Sequence, residues 1–245
     1  MSPTITWAVT RRVLTQLRRD PRTIAMMLVV PCVLVTLLWW MFDRDEVMFA
    51  RLGPPLLAVF PFIVMFLVTS VTTLRERSSG TLERLLSMPV GKLDLLLGYA
   101  LAFAVVAALQ SLLAVGLTVG LLGLDLEGPV WMLAVVAILD AVLGSTLGLF
   151  VSAFAQTEFQ AVQFMPALVV PQILLCGLIV PRGALPHVLG TVSDLLPLSY
   201  AVDAMDRLRA SSGVGSDIGV DLVVIIGFVF AAIVLGAATL RRRTA

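Results

Sequence analysis

The sequence predicts an all-α polytopic membrane protein of six transmembrane helices, and three observations carry that fold class. Hydrophobic residues make up 59% of the 245-residue chain and charged residues only 13%, about half the charged share of an ordinary soluble domain. Mean hydropathy is +1.03. The apolar residues gather into six runs close to the roughly 20 residues that a bilayer requires, and the basic residues crowd at alternate ends of those runs. A net charge of +1 and a pI of about 7.8 exclude any reading based on nucleic acid or a strongly acidic partner.

Taken in order, residues 5–19 wind as an amphipathic helix. Ile5, Trp7, Val9, Val13, Leu14 and Leu17 share one arc, while Arg11, Arg12, Thr15, Arg18 and Arg19 fill the other. A basic helix with a tryptophan lies in the headgroup plane against membrane lipids; a topology signal with no partner accounts for the same arginines. The six spans follow at 24–42, 56–74, 95–122, 130–154, 164–180 and 222–240, the third long enough to tilt. Pro31, Pro61, Pro166 and Pro171 lie within spans and predict kinks, the last two bracketing the start of the fifth. No cleavable leader is evident, because the first span follows an arginine-rich segment without a small-residue cleavage site. With the N-terminus inside, twelve of the seventeen basic residues lie on the cytoplasmic side, which places both termini there. Lys92 is the only lysine, an arginine bias that points to a GC-rich bacterial genome and hence to a bacterial plasma (inner) membrane.

Segment 75–94 stands between the second and third spans. Gly80 breaks the chain after Arg75, Glu76, Arg77, Ser78 and Ser79, and Pro89 stops what Thr81 begins. Between them Leu82, Leu85 and Leu86 share a face, leaving Glu83, Arg84 and Ser87 opposite. The pattern fits a solvated loop with interfacial leucines or a short docking helix. On the other side, segment 181–221 has leucines and valines at helical spacing broken by Pro186 and Pro197, so it reads as short helices on or in the outer leaflet.

Polar residues inside the spans are few. Gln110 and Asp140, roughly equidistant from the turn between the third and fourth spans, should lie at similar depth and could form a hydrogen bond. Asp140, Gly144, Gly148 and Ser152 recur every four residues, as do Gly116 and Gly120, which predicts two close-packing stripes. Asp140 is either a buried structural group or a protonatable, substrate-facing one. Cys32 and Cys176 read as small core residues. His187 has no nucleophile in a recognisable context, and "PVGKLD" lacks the upstream glycine and following hydroxyl of a phosphate loop. No catalytic, cofactor-binding or metal-binding residue is assigned in the chain.

The run "RERSSGTLERLLSMPVGKLDLLLG" closely resembles the motif between the second and third helices of ATP-binding-cassette type-2 exporter permeases, at Arg75, Glu76, Gly80, Thr81, Leu82, Glu83, Arg84, Leu85, Leu86, Pro89 and Val90. The six-span layout, the basic N-terminal helix and "DLLPLSYAVDAMDRL" before the last span extend the likeness over most of the chain. The resemblance implies that the short helix couples to a separate ATPase subunit, which binds ATP and Mg and is flanked also by the N-terminal helix. It implies a homodimer of permeases that exports an amphipathic drug, antibiotic or lipid-like compound, as in the daunorubicin-resistance type. Lipid-linked polysaccharide exporters share the architecture, and an ion- or proton-coupled carrier built on Asp140 is the alternative outside the family.

Overall fold

The computed structural model describes residues 2–42, 45–81, 90–211, 213 and 215–239. Helix α1 (Pro3–Arg18) leads into α2 (Pro21–Met41), α3 (Glu46–Ser78), α4 (Lys92–Gly120), α5 (Val130–Ser152) and α6 (Glu158–Leu175). A 3-10 turn (Arg182–Ala184), α7 (His187–Asp194) and α8 (Pro197–Ala210) precede the last helix, α9 (Ser216–Thr239). Six of these, α2 to α6 and α9, are long and apolar enough to cross a membrane. The all-helical, six-span class predicted by the sequence is the class found.

The ends of the spans differ from the apolar runs for identifiable reasons. Helix α3 has 33 residues, a length of about 50 Å against a hydrocarbon core of about 30 Å. It passes through Pro54 and Pro55, where the hydropathy run stops, because packing overrides propensity there. Gly53, Pro54 and Pro55 are buried, and a Cβ on Gly53 would already meet Leu124 at 3.2 Å. Helix α6 starts at Glu158, capped by the Thr157 hydroxyl accepting from the Gln160 N–H at 3.2 Å, and ends before Gly177, whose φ of +100° is left-handed. Pro166 and Pro171 therefore sit inside this helix, not at its start.

Helix α3 is central, packed along α5 and touching α2, α4, α6 and α8. Its seam with α5 is tight: a Cβ on Gly144 would lie 2.5 Å from the Phe62 carbonyl oxygen, and one on Gly148 2.5 Å from that of Phe66. The stripe through Asp140, Gly144, Gly148 and Ser152 thus meets protein as expected. Gly116 and Gly120 do not pack this way, for nothing lies within 4 Å of a Cβ at either position.

At the end away from the arginine-rich N-terminus, α8 is inserted into the bundle against α3, α5, α6 and α9, with Leu198, Ala201, Val202, Ala204 and Met205 fully buried. Arg182 holds this cap together. It pairs with Asp194 at the end of α7 and with Asp203 on α8, and its guanidinium lies 5.3 Å from the Tyr200 ring centre. Burial pushes the Asp203 carboxyl above its ordinary value while Arg182 pulls it back. Arg207 links α8 to Asp221 of α9 at 2.6 Å, and the Gly128 N–H donates to the Leu208 carbonyl at 2.8 Å. Residues 182–210 therefore carry short helices, as the spacing predicts, α8 is wedged among the spans, and the last span starts at Ser216, earlier than its apolar run.

Single cysteines placed at Ser79 and Ser211, both exposed, in a background lacking Cys32 and Cys176, are expected to react with an impermeant thiol reagent from opposite sides of the membrane. Labelling of both from one side would overturn the six-span topology.

Candidate functional site

At the basic end of the bundle, α3 closes with the triplet Arg75, Glu76 and Arg77. Successive helical residues point about 100° apart, so these three adjacent side chains leave α3 in different directions. Arg75 grips Glu158 at the start of α6 through two bonds of 2.8 and 2.9 Å. Arg77 donates to the Ser152 carbonyl at the end of α5. Glu76 turns inward, where one carboxylate oxygen accepts from the Tyr99 hydroxyl of α4 and from the Arg12 guanidinium of α1, the latter at 3.4 Å. Arg12 also reaches Tyr99 at 3.5 Å. Burial lowers the Arg12 guanidinium's pKa, and the neighbouring Tyr99 and Glu76 more than offset this, leaving it above its ordinary value.

The same end binds α1 to the first turns of α4. The Ser2 N–H donates to Asp94 at 2.9 Å and the Thr10 hydroxyl to the Gly98 carbonyl at 3.1 Å. A Cβ on Gly98 would fall 2.6 Å from Val9, so only glycine permits this approach. The buried arc of α1 is Val9, Thr10, Val13 and Leu17. Trp7 is 66% exposed, at the edge of the apolar arc beside the arginines. Arg11, Arg18 and Arg19 are exposed and Arg12 half-buried.

Gly80 follows with φ +71°, donating its N–H to the Arg77 carbonyl at 3.1 Å, a left-handed terminus of the kind glycine supplies after a helix. Thr81 is placed, its hydroxyl 3.0 Å from that of Ser79. Leu82, Glu83, Arg84, Leu85, Leu86 and Pro89 lie outside the described residues, and Gly91 begins the return into α4.

Gln110 and Asp140 are both fully buried, yet none of their four polar side-chain atoms has a hydrogen-bond partner among the described residues, and they do not bond each other. The α4–α5 contact at this depth is made by Ser111, whose hydroxyl donates to the Ala137 carbonyl at 3.1 Å. Gln110, one residue and about 100° of rotation away, makes no hydrogen bond there among the described residues. Asp140→Leu leaves no partner stranded, so the variant is expected to be at least as stable as the parent; Asp140→Asn should fold equally well. A loss of about 1–3 kcal/mol in Asp140→Leu, read from thermal unfolding, would reveal a structural partner.

Tyr99, Asp94 and Glu158 were not singled out in the sequence. Their signal is weak: polar side chains within the first turns of apolar helices, at the same end as the basic residues.

The structure thus defines a polytopic membrane protein whose helices α1, α3, α4, α5 and α6 are tied together at one end around a short connecting segment. The sequence model of the ABC-2 type transporter family matches residues 4–207, and the chain belongs to that family. It is 27% identical over 183 residues to the probable multidrug ABC transporter permease YbhS of Escherichia coli (strain K12), covering 74% of this chain and 48% of that protein. ABC transporter G family member 20 of Dictyostelium discoideum is 24% identical over 164 residues, 67% of this chain and 22% of its own. Inner membrane transport permease YhhJ of Escherichia coli (strain K12) is 28% identical over 143 residues, 57% and 38% of the two. The chain spans about half the length, or less, of these curated relatives.

Proposed function

We propose that the chain is the membrane-spanning subunit of an ATP-driven exporter in a bacterial inner membrane, with both termini cytoplasmic and ATP and Mg bound by a separate ATPase subunit. The observation that carries this reading is the triplet Arg75 to Arg77, which joins α1, α4, α5 and α6 to the end of α3 immediately before Gly80. A push on segment 80–89 by a partner would reach four other helices through those bonds. The relatives named as multidrug permeases support a drug as cargo.

A second copy of the chain completes the transporter in this reading. Pro166 and Pro171 on α6 lack the N–H groups that would bond the carbonyls of Val162 and Ala167, and Val162, Gln163, Pro166, Ala167 and Pro171 all lie on its exposed face. Unbonded carbonyls and an amide side chain facing hydrocarbon cost several kcal/mol each. Protein or an aqueous path against α6 relieves that cost, which supports a homodimer with α6 at its seam.

The test is co-purification with a cassette ATPase and transport in vesicles, where hydrolysable ATP should be required. Reversing both charges in Glu83→Lys/Arg84→Glu is expected to abolish stimulated ATPase activity and export, with insertion and thermal stability within about 0.5 kcal/mol of the parent. Full ATP-driven export by that variant would remove these residues from the coupling role.

A further inference from the structure

Among the described residues, helix α1 is packed on one side only. Opposite Val9, Val13 and Leu17 runs a groove of about 720 Å³, and among the described residues α1 and its capping residue Arg19 supply every side chain that lines it. Its two banks are ridges of residues four apart. Trp7, Arg11, Thr15 and Arg19 form one, and the other continues through Arg12 and Gln16. The second ridge begins with the small side chains of Thr4 and Ala8. Three guanidiniums line the groove and no carboxylate does.

The depth of this furrow bears on its occupant. Thr10 bonds the Gly98 carbonyl, and Gly98 lies six residues into α4, about 9 Å along the axis of a spanning helix. Helix α1 therefore lies beside the first turns of a membrane span and not beyond its end. Trp7, 66% exposed on the bank of the groove, has the apolar body and polar N–H of a residue that settles at headgroup level. A basic furrow edged by such an indole matches a phosphate on the headgroup side and acyl chain on the other.

We propose that this groove binds the phosphate headgroup of an anionic phospholipid of the inner leaflet, with Arg11 and Arg19 supplying the charge and Trp7 the anchor. The site uses the orientation given in the proposed function, but does not depend on the ATPase. A protein surface seated in the same groove is the competing occupant, and it would hold Trp7 away from the lipid.

The permease alone suffices for the test. A variant with Trp39, Trp40 and Trp131 replaced by phenylalanine leaves Trp7 as the only indole. It is reconstituted into mixed phosphatidylglycerol and phosphatidylcholine vesicles of one composition, with acyl-chain bromine on one lipid or the other. Brominated phosphatidylglycerol is expected to quench Trp7 several-fold more per mole than brominated phosphatidylcholine, since each arginine near an anionic surface is worth about a fivefold enrichment. Arg11→Gln/Arg19→Gln, which alters exposed positions only, should bring the two lipids to equality while circular dichroism stays unchanged. Equal quenching by both lipids in the parent would leave only an interfacial helix without a headgroup site. Absence of quenching by either would put Trp7 outside the bilayer, and preference retained in the double variant would remove the arginines; each result overturns the proposal.

Discussion

Gly144→Ala combined with Gly148→Ala is expected to lower the stability of the bundle by about 2–6 kcal/mol, from about 1–3 kcal/mol of overpacking at each site, against a total that for most proteins is only about 5–15 kcal/mol. The new methyl groups would have to lie 2.5 Å from the carbonyl oxygens of Phe62 and Phe66, and the second also 3.2 Å from the Ser70 nitrogen. These are backbone atoms of a helix interior, so no side chain can swing aside. Helix α3 must instead move from α5, and it is held by α2, α4, α6 and α8 as well. Thermal unfolding in detergent and the elution profile of the purified protein read the effect. Gly116→Ala with Gly120→Ala is the control, because nothing lies within 4 Å of either added carbon. Equal melting of the two double variants would show that the α3–α5 seam is not the tight one.

Those two glycine pairs mark how far the sequence reaches. Both have the same spacing, and spacing tells which residues share a face of a helix, not whether a second backbone lies opposite. The same limit explains Gln110 and Asp140, whose burial follows from run length and turn position while their bonding depends on rotations of about 100° per residue that run length does not encode. Six spans were legible because each carries its own hydropathy. Their ends were not where tertiary contacts set them: α3 continues through Pro54 and Pro55, and α6 begins at Glu158 although Gln160 and Gln163 dilute its apolar run.

Legibility of the basic end was divided in a similar way. Gly80 was readable as a break, and its left-handed φ supplies the reason. The amphipathic character of α1 was readable too, although the angular placement of Trp7 at the edge of the arc decided its exposure. Arg75, Glu76 and Arg77, read as a polar cluster at a membrane surface, tie α3 to four other helices. Nothing in a single sequence pairs Glu76 with Tyr99, 23 positions away, because that contact exists only once α3 and α4 lie side by side.

That contact gives the sharpest separation of folding from coupling. Glu76→Ala removes the acceptor of a tyrosine hydroxyl whose residue is 1% exposed, and leaves Arg12 without its carboxylate. The stranded hydroxyl is expected to cost about 1–3 kcal/mol. Arg12 adds little beyond it, since its side chain keeps 32% exposure and water can take up its charge. Glu76→Gln retains an oxygen for Tyr99 and should recover most of that stability, and a double variant with Tyr99→Phe should show less than additive loss. Under the proposed function the two readouts diverge. Without the negative charge, Arg12 is held less tightly at the junction of α3 and α4 while the other α1–α4 contacts remain, so Glu76→Gln should reduce ATP-driven export several-fold in vesicles while its unfolding temperature stays near that of the parent. A Gln variant that is stable and exports at the full rate would confine Glu76 to holding the bundle closed, and the force from segment 80–89 would then have to pass through Arg75 and Arg77 alone.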